Sequence, residues 1–378
     1  MSWADRELGD VVTLKRGHDL PNGRRVQGVI PVVSSSGITG WHNEAKAEPP
    51  GVVTGRYGTI GEVFYLDRPY WPLNTALYAI DFHGNDPRFV AYFLRNHLRN
   101  YQSEKAAVPG VDRNVLHKMK VRCPDPQAQE RIVSILSAYD DLIENNRRRI
   151  GLLEQAARLL YREWFVHFRF PGHETAKFID GLPEGWTVTT FDAVCDTVGG
   201  GTPSTKNPEF WEDGDVTWVT PTDITRNDCL ALLHSEKKIT AAGLKHSSAK
   251  MVPPNTILMT SRASVGFFGL ADFPVSTNQG FINIVPHDET MRYYLLFNLL
   301  HRVDEIRGHA SGATYAEISK GKFRALPVVV PSERAVARFH LDIEKIINQV
   351  RTIKTQNAKL TRARDLLLPR LMDGRIPV

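Results

Sequence analysis

Two long stretches of the chain place apolar residues alternately four and three apart. In the first, Ile132, Leu136, Tyr139, Ile143, Asn146, Ile150, Leu153, Ala157, Leu160 and Trp164 form the a/d seam of a heptad repeat. In the second, Phe339, Ile343, Ile346, Val350, Ile353, Asn357, Leu360, Arg364, Leu367 and Leu371 do the same. Each predicts a helix of about forty residues, which at about 1.5 Å per residue spans roughly 60 Å and needs an equally long partner. The two are each other's natural partners. A globular segment separates them, so the chain can return and pair them antiparallel.

Each seam contains one asparagine. A buried amide without a partner costs free energy, whereas two facing amides satisfy each other. Setting Asn146 against Asn357 therefore selects one register among those that match seam to seam. It puts Ile150 on Ile353, Ile143 on Leu360, Leu153 on Val350, Leu136 on Leu367 and Trp164 on Phe339. The competing account leaves Asn146 at a wet edge of the seam. Off the seam, Ile135, Leu142, Leu152 and Leu159 widen the apolar surface of the first helix beyond what one partner helix covers. They pack either on the chain's own domains or on helices of another protein.

Between and before these helices, short β-branched and aromatic runs are broken by Gly, Pro and Asn, with helical stretches after Asp86 and Asp288. These segments are written twice. The run WADRELGDVV at Trp3 returns as WTVTTFDAV at Trp186, and the run from Gly51 returns from Asn255. Pro109 onward returns at Ser311, and Pro124 and Pro331 each open a long helix. The expected architecture is a mixed α/β (α+β) fold: two similar globular units and two long helices forming an antiparallel coiled coil, pseudo-two-fold symmetric. The expected boundaries are 1–123, 124–170, 171–330 and 331–378.

With 42% hydrophobic residues, 24% charged and no apolar run of membrane-spanning length, the sequence predicts a soluble protein. Its start has no basic segment followed by an apolar one, which points to the cytoplasm. Cys123, Cys195 and Cys229 lie far apart with no ligand spacing, so neither a disulfide framework nor a zinc site is expected. A net charge of +5 raises the odds of a nucleic-acid partner only slightly.

Two related but divergent units on a spacer suit a reader of duplex DNA, whose half-sites on one face lie about 34 Å apart or multiples of that. Arg56 and Tyr57 sit on a Gly-flanked turn followed by Thr59, and Arg262 lies in the matching turn. Arginine takes guanine or a phosphate; a plain hairpin with an exposed Arg is the alternative. Asn74 and Thr75 match Asn278 and Gln279, amides that either read adenine or cap turns. In GGGTPSTKN, which lacks the ending of a phosphate loop, Thr202, Ser204 and Lys206 are available to a DNA backbone. Arg113 and the trio Lys320, Lys322 and Arg324 are phosphate candidates or ordinary solvated charges. Two patterns suggest catalysis weakly. Asn207 opens an NPEF tetrapeptide like that of adenine methyltransferases, without a cofactor loop before it, and Asp223, Glu236 and Lys238 fit a loose magnesium-nuclease spacing.

Taken together, the repeats, the glycine-flanked turns, GGGTPS, the segment from Ile239 and the two helices make the whole chain resemble the specificity (S) subunit of type I restriction-modification systems. The resemblance implies two target recognition domains, each reading one half of a bipartite DNA target. It implies helices that act as a ruler and dock two methyltransferase subunits, with a restriction subunit joining them. On this resemblance the chain is not an enzyme, and S-adenosylmethionine, ATP and magnesium belong to the partners. The first domain departs in lacking a GGGTPS-like segment and in being shorter. A coiled-coil scaffold, an RNA-binding protein and a magnesium nuclease are the other readings.

Overall fold

A computed structural model describes residues 2–57, 61–99, 110–312 and 315–378. They form two compact units, Met1–Ile143 with Lys359–Val378, and Glu144–Ala358. The long helices run over Pro126–Tyr161 and Glu333–Met372, so each unit contains part of both. Asp125 starts the first: its carboxylate accepts from Ser2 N at 2.7 Å and Ala128 N at 2.9 Å, with Pro126 at the first helical position. These N–H donors, Ser2 first, hold its carboxyl below the usual carboxylate range. A π-helical turn, Arg162–Val166, ends the helix.

In the second unit the two helices pair antiparallel. Asn146 Nδ2 donates to Asn357 Oδ1 at 2.9 Å, with both residues buried. Ile150, Val350 and Ile353 bury together with Leu153 beside them, and the Trp164 and Phe339 rings lie 5.8 Å apart. In the first unit Ile132 and Leu136 bury with Leu368, Leu371 and Met372. The seam departs from a strict heptad: Ile347 and Leu368 are fully buried, while Ile346 and Leu367 are half-buried. Spacing of 339, 343, 347 and 350 follows the natural pitch of a straight helix, because this stretch also packs on its own unit's core. Arg364 occupies a seam position by pairing with Asp140 at 2.5 Å, and Asp140 also accepts from Tyr92 Oη at 2.6 Å.

Both units share one topology. The first has an antiparallel sheet in the order Thr13–Arg16, Ala76–Asp81, Gly51–Gly55 and Val63–Leu66. The second has Cys195–Gly199, Phe281–Pro286, Ile257–Thr260 and Phe268–Ala271 in the same order, with Ala231–Leu232 added at the edge. A smaller sheet accompanies each, Gly37–His42, Ile30–Ser34 and Trp71–Pro72 in one, and Lys237–Ile239, Val216–Val219, Val275–Thr277 and Met251–Val252 in the other. A ribbon of Trp3–Glu7 with Lys120–Pro124, or Thr187–Thr190 with Pro327–Val330, leads into each long helix. The ribbon strand is thus continuous with the helix, which ties each sheet system to the coiled coil.

All three cysteines are buried, and desolvation pushes the Cys195 thiol up to about 12 and the Cys229 thiol up to about 11. Burial also raises the Glu154 carboxyl, although Leu230 N donates to it at 2.5 Å. A raised carboxyl favours the folded state while protonated, so this contribution is full below the ordinary value of 4.5 and is lost as pH rises through the folded value. Glu154→Gln keeps an acceptor for Leu230 and removes the charge. Its melting temperature is expected to exceed the parent's by about 1–3 °C at pH 8 and to match it at pH 4. Scanning calorimetry across that range checks this.

Candidate nucleic-acid interface

In the second unit the strand Cys195–Gly199 runs into three glycines that pass against the turn after Thr277. A Cβ on Gly200 would approach Asn278 O to 2.1 Å, and one on Gly201 would approach Ser248 Oγ to 2.2 Å, so only glycine fits. Gly201 N donates to Thr277 O at 2.9 Å, and beyond it Thr202 Oγ1 donates to Gln279 Oε1 at 2.5 Å. The first unit makes the same crossing with one glycine. A Cβ on Gly17 would lie 2.1 Å from Leu73 O, His18 N donates to Pro72 O at 2.7 Å, and Asn74 Nδ2 donates to Asp19 Oδ1 at 2.8 Å. The first unit therefore does contain a counterpart of GGGTPS, Gly17-His18-Asp19. It is hidden in sequence because a single close backbone approach requires a single glycine.

Strand pairing also corrects how the repeats correspond. Sequence similarity matches Arg56 to Arg262, and Asn74 and Thr75 to Asn278 and Gln279. In the structure Arg56 N donates to Thr75 O at 3.0 Å where Ser261 N donates to Gly280 O at 2.8 Å. Val111 N donates to Arg56 O at 2.9 Å where Ile318 N donates to Ser261 O at 3.0 Å. Arg56 is thus the equivalent of Ser261, Tyr57 of Arg262, Asn74 of Gln279 and Arg113 of Lys320. A shift of one residue in a strand moves a side chain to the other face, so the two arginines are not equivalent.

These contacts gather most of the candidate residues onto one edge of each unit. In the second unit the path runs from Thr202 through Gln279, Gly280 and Ser261 to Arg262, which bridges Glu317. Glu317 in turn bridges Ser311, whose hydroxyl accepts from Lys322 Nζ at 3.0 Å. Lys320 Nζ lies 3.1 Å from where a Cβ on Gly199 would be. In the first unit the path runs from Asp19 and Asn74 through Thr75, Arg56 and Tyr57 to Gly110 and Arg113. The Arg56 guanidinium stacks 4.5 Å from the centre of the Tyr57 ring. Thr59 lies outside the described residues.

Other candidates sit elsewhere or are occupied. Arg324 donates from Nε to Thr197 Oγ1 at 2.6 Å and lies 3.5 Å from Asp192, so it is directed toward partners in its own unit. Asn278 Oδ1 accepts from Gly280 N at 2.9 Å and caps the turn. Ser204 and Lys206 are exposed on the loop after the glycines. Ile135, Leu142, Leu152 and Leu159 are exposed along the first long helix. Tyr315 and Glu317 carried no signal in the sequence, because what sets them beside Arg262 is a bridge between loop segments distant in the chain.

The catalytic patterns resolve into local structure. Asn207 caps a single turn by accepting from Glu209 N at 3.2 Å. Asp223 accepts from Thr220 N and Thr220 Oγ1, both at 2.7 Å, and from Glu236 N at 3.0 Å, forming a capping box. Among the described residues no group of three metal-ligating side chains converges, and no helix is long and apolar enough to cross a membrane.

The model of the type I restriction modification DNA specificity domain matches residues 1–155 and 183–362. The chain belongs to that DNA specificity family. Among its relatives, the type I restriction enzyme MjaIX specificity subunit of Methanocaldococcus jannaschii is 30% identical over 53% of this chain and 46% of its own length. The HindI specificity subunit of Haemophilus influenzae is 24% identical over 73% of each. This specificity-family chain thus aligns with about half the length of the first relative. The crystal structure of the S subunit of a type I system from M. genitalium superimposes with a TM-score of 0.59 at 15% identity, covering 98% of this chain and 96% of that one. At that identity the likeness establishes a shared fold.

Proposed function

We propose that this chain is the DNA-reading subunit of a type I restriction-modification complex in the cytoplasm, with each unit reading one half of a bipartite, gapped target. The observation that carries this reading is the pair of edges described above. Each lies at the same place in the same topology and is lined by Arg56, Tyr57 and Asn74 in one unit and Thr202, Arg262 and Gln279 in the other. Equivalent places with unlike side chains are what two unlike half-sites require. Arg113 and Lys320, alike in charge and each in the first turn of an equivalent short helix, serve as phosphate contacts common to both halves, with Lys322 beside Lys320. The long helices set the gap, and Ile135, Leu142, Leu152 and Leu159 dock methyltransferase subunits, to which restriction subunits add. Methyl transfer and DNA cleavage, with S-adenosylmethionine, ATP and magnesium, belong to those partners.

The test is to co-express the chain with its methyltransferase subunit and map methylated adenines on a random-sequence duplex library. Two unlike motifs at a fixed gap are expected. A single motif, or none, would overturn the two-reader proposal and favour a scaffold.

A further inference from the structure

In the second unit Arg262, Tyr315 and Glu317 form a group, and the bridged positions of Arg262 and Glu317 are held by Tyr57 and Gly110 in the first unit. Arg262 Nε lies 3.8 Å from Glu317 Oε2, and the guanidinium carbon lies 6.0 Å from the centre of the Tyr315 ring. The backbones of Arg262 and Glu317 are joined by an antiparallel bridge, reinforced by Ala263 N donating to Ala316 O at 2.9 Å. The Arg262 and Glu317 side chains are each about half exposed, at 47% and 46%, and Tyr315 lies open to solvent. Among the described residues the two terminal nitrogens of Arg262 have no hydrogen-bond partner.

We propose that Arg262 reads a guanine in the second half-site through those two terminal nitrogens, and that Glu317 and Tyr315 are positioning residues that present it. The inference rests on the DNA-reading function proposed above and names the base and the residues that select it. A guanidinium fork matches the O6 and N7 acceptors of guanine in the major groove, and it discriminates best when its direction is set beforehand. The carboxylate lies 3.8 Å from Nε and the ring 6.0 Å from the guanidinium carbon, and the edge with the two terminal nitrogens is the one that makes the bidentate contact.

Glu317 also decides between a base and a phosphate. A phosphate drawn to Arg262 would stand beside a carboxylate of the same sign, whereas a base edge carries no net charge. Lys320, three residues on, has no such carboxylate partner among the described residues, and its equivalent Arg113 keeps the positive charge. The positions equivalent to Arg262 and Glu317 in the first unit are Tyr57 and Gly110, so that unit reads a different base at this place.

The test uses the complex of the full chain with its methyltransferase subunit and duplexes carrying the mapped target, each with one base pair changed. Arg262→Ala and Arg262→Lys are both expected to reduce discrimination at a single G·C pair of the second half-site by about 10–100-fold, with the salt dependence of binding unchanged. Glu317→Gln and Tyr315→Leu should reduce discrimination several-fold at that same pair, while discrimination across the first half-site stays intact and so reports a folded complex. Affinity of Glu317→Gln for non-target duplex should hold or rise. Equal weakening on every duplex, a salt slope lowered by about one and rescue by Arg262→Lys would identify a phosphate contact and overturn the proposal. Unchanged discrimination in Arg262→Ala would overturn it too. Failure of the wild-type complex to yield a two-part target is a separate result, and it would remove the function on which the proposal rests.

Discussion

Phe339→Ala is expected to lower the stability of the second unit by about 3–5 kcal/mol, the usual cost of deleting a fully buried phenyl ring. Phe339 is 0% exposed and stands at the centre of an aromatic cluster. Its ring lies 4.9 Å from Phe165 in an edge-to-face arrangement, 5.8 Å from Trp164, 6.2 Å from Tyr161 and 6.3 Å from Phe297. Those partners come from the end of the first long helix, its π-helical turn and the helix Met291–His301, so one truncation loosens three elements. A cavity there cannot close easily, because interlocking rings leave no flexible neighbour to fill it. The expected fall in melting temperature is about 10 °C, read from the fluorescence of Trp164 and Trp186. Phe339→Leu, which retains most of the volume, should lose less than half as much; an equal loss would mean that ring stacking rather than volume dominates.

The second large effect concerns the asparagine pair, and here the sign depends on whether one or both residues change. Asn357→Leu alone removes the acceptor of Asn146 Nδ2 at 2.9 Å and leaves a buried donor facing a hydrocarbon, at a cost of about 1–3 kcal/mol. Asn146→Leu alone has a similar cost. The double variant buries leucine against leucine and should recover that loss or exceed the parent in stability, so the coupling between the sites is expected to be about 1–3 kcal/mol. Stability is not what the amides contribute. With leucines at both positions a register displaced by one heptad becomes competitive, since every other seam position is already apolar or paired. Cysteines placed for cross-linking at exposed positions flanking residues 146 and 357 would report this: a single cross-link in the parent, and two in the double variant. Additive losses in the double variant would show that the amides act independently.

The candidate edge shows why function was less legible than architecture. A motif reading weighs Arg56, Arg262 and Arg324 as similar exposed cations, yet the structure gives them three fates. Arg56 stacks on its neighbour Tyr57, Arg262 lies 3.8 Å from a carboxylate and 6.0 Å from a ring, and Arg324 hydrogen-bonds Thr197 beside Asp192. Electrostatic partners decide what a charge can do, and in Arg262 and Arg324 those partners come from distant parts of the chain.

The long helices, the doubling of the globular unit and the facing asparagines were all legible in the linear order of residues. The helices and the asparagines rest on local periodicity, since a seam repeats within a few residues along one helix and an amide in it is conspicuous against its neighbours, and the doubling rests on short runs that recur in the same order. The correspondence between the units was not legible to within one residue. Similarity pairs Arg56 with Arg262, whereas hydrogen bonding pairs Tyr57 with Arg262 and Gly17 with Gly200. Nor could the sequence distinguish Ile347 from Ile346 as the residue that enters the core. These matters depend on strand register and on which surface a helix meets, interactions between residues far apart in sequence that become fixed when the chain closes on itself. The grouping of Arg262 with Glu317 and Tyr315 belongs with them, since only the bridge between two loop segments brings that carboxylate to that guanidinium.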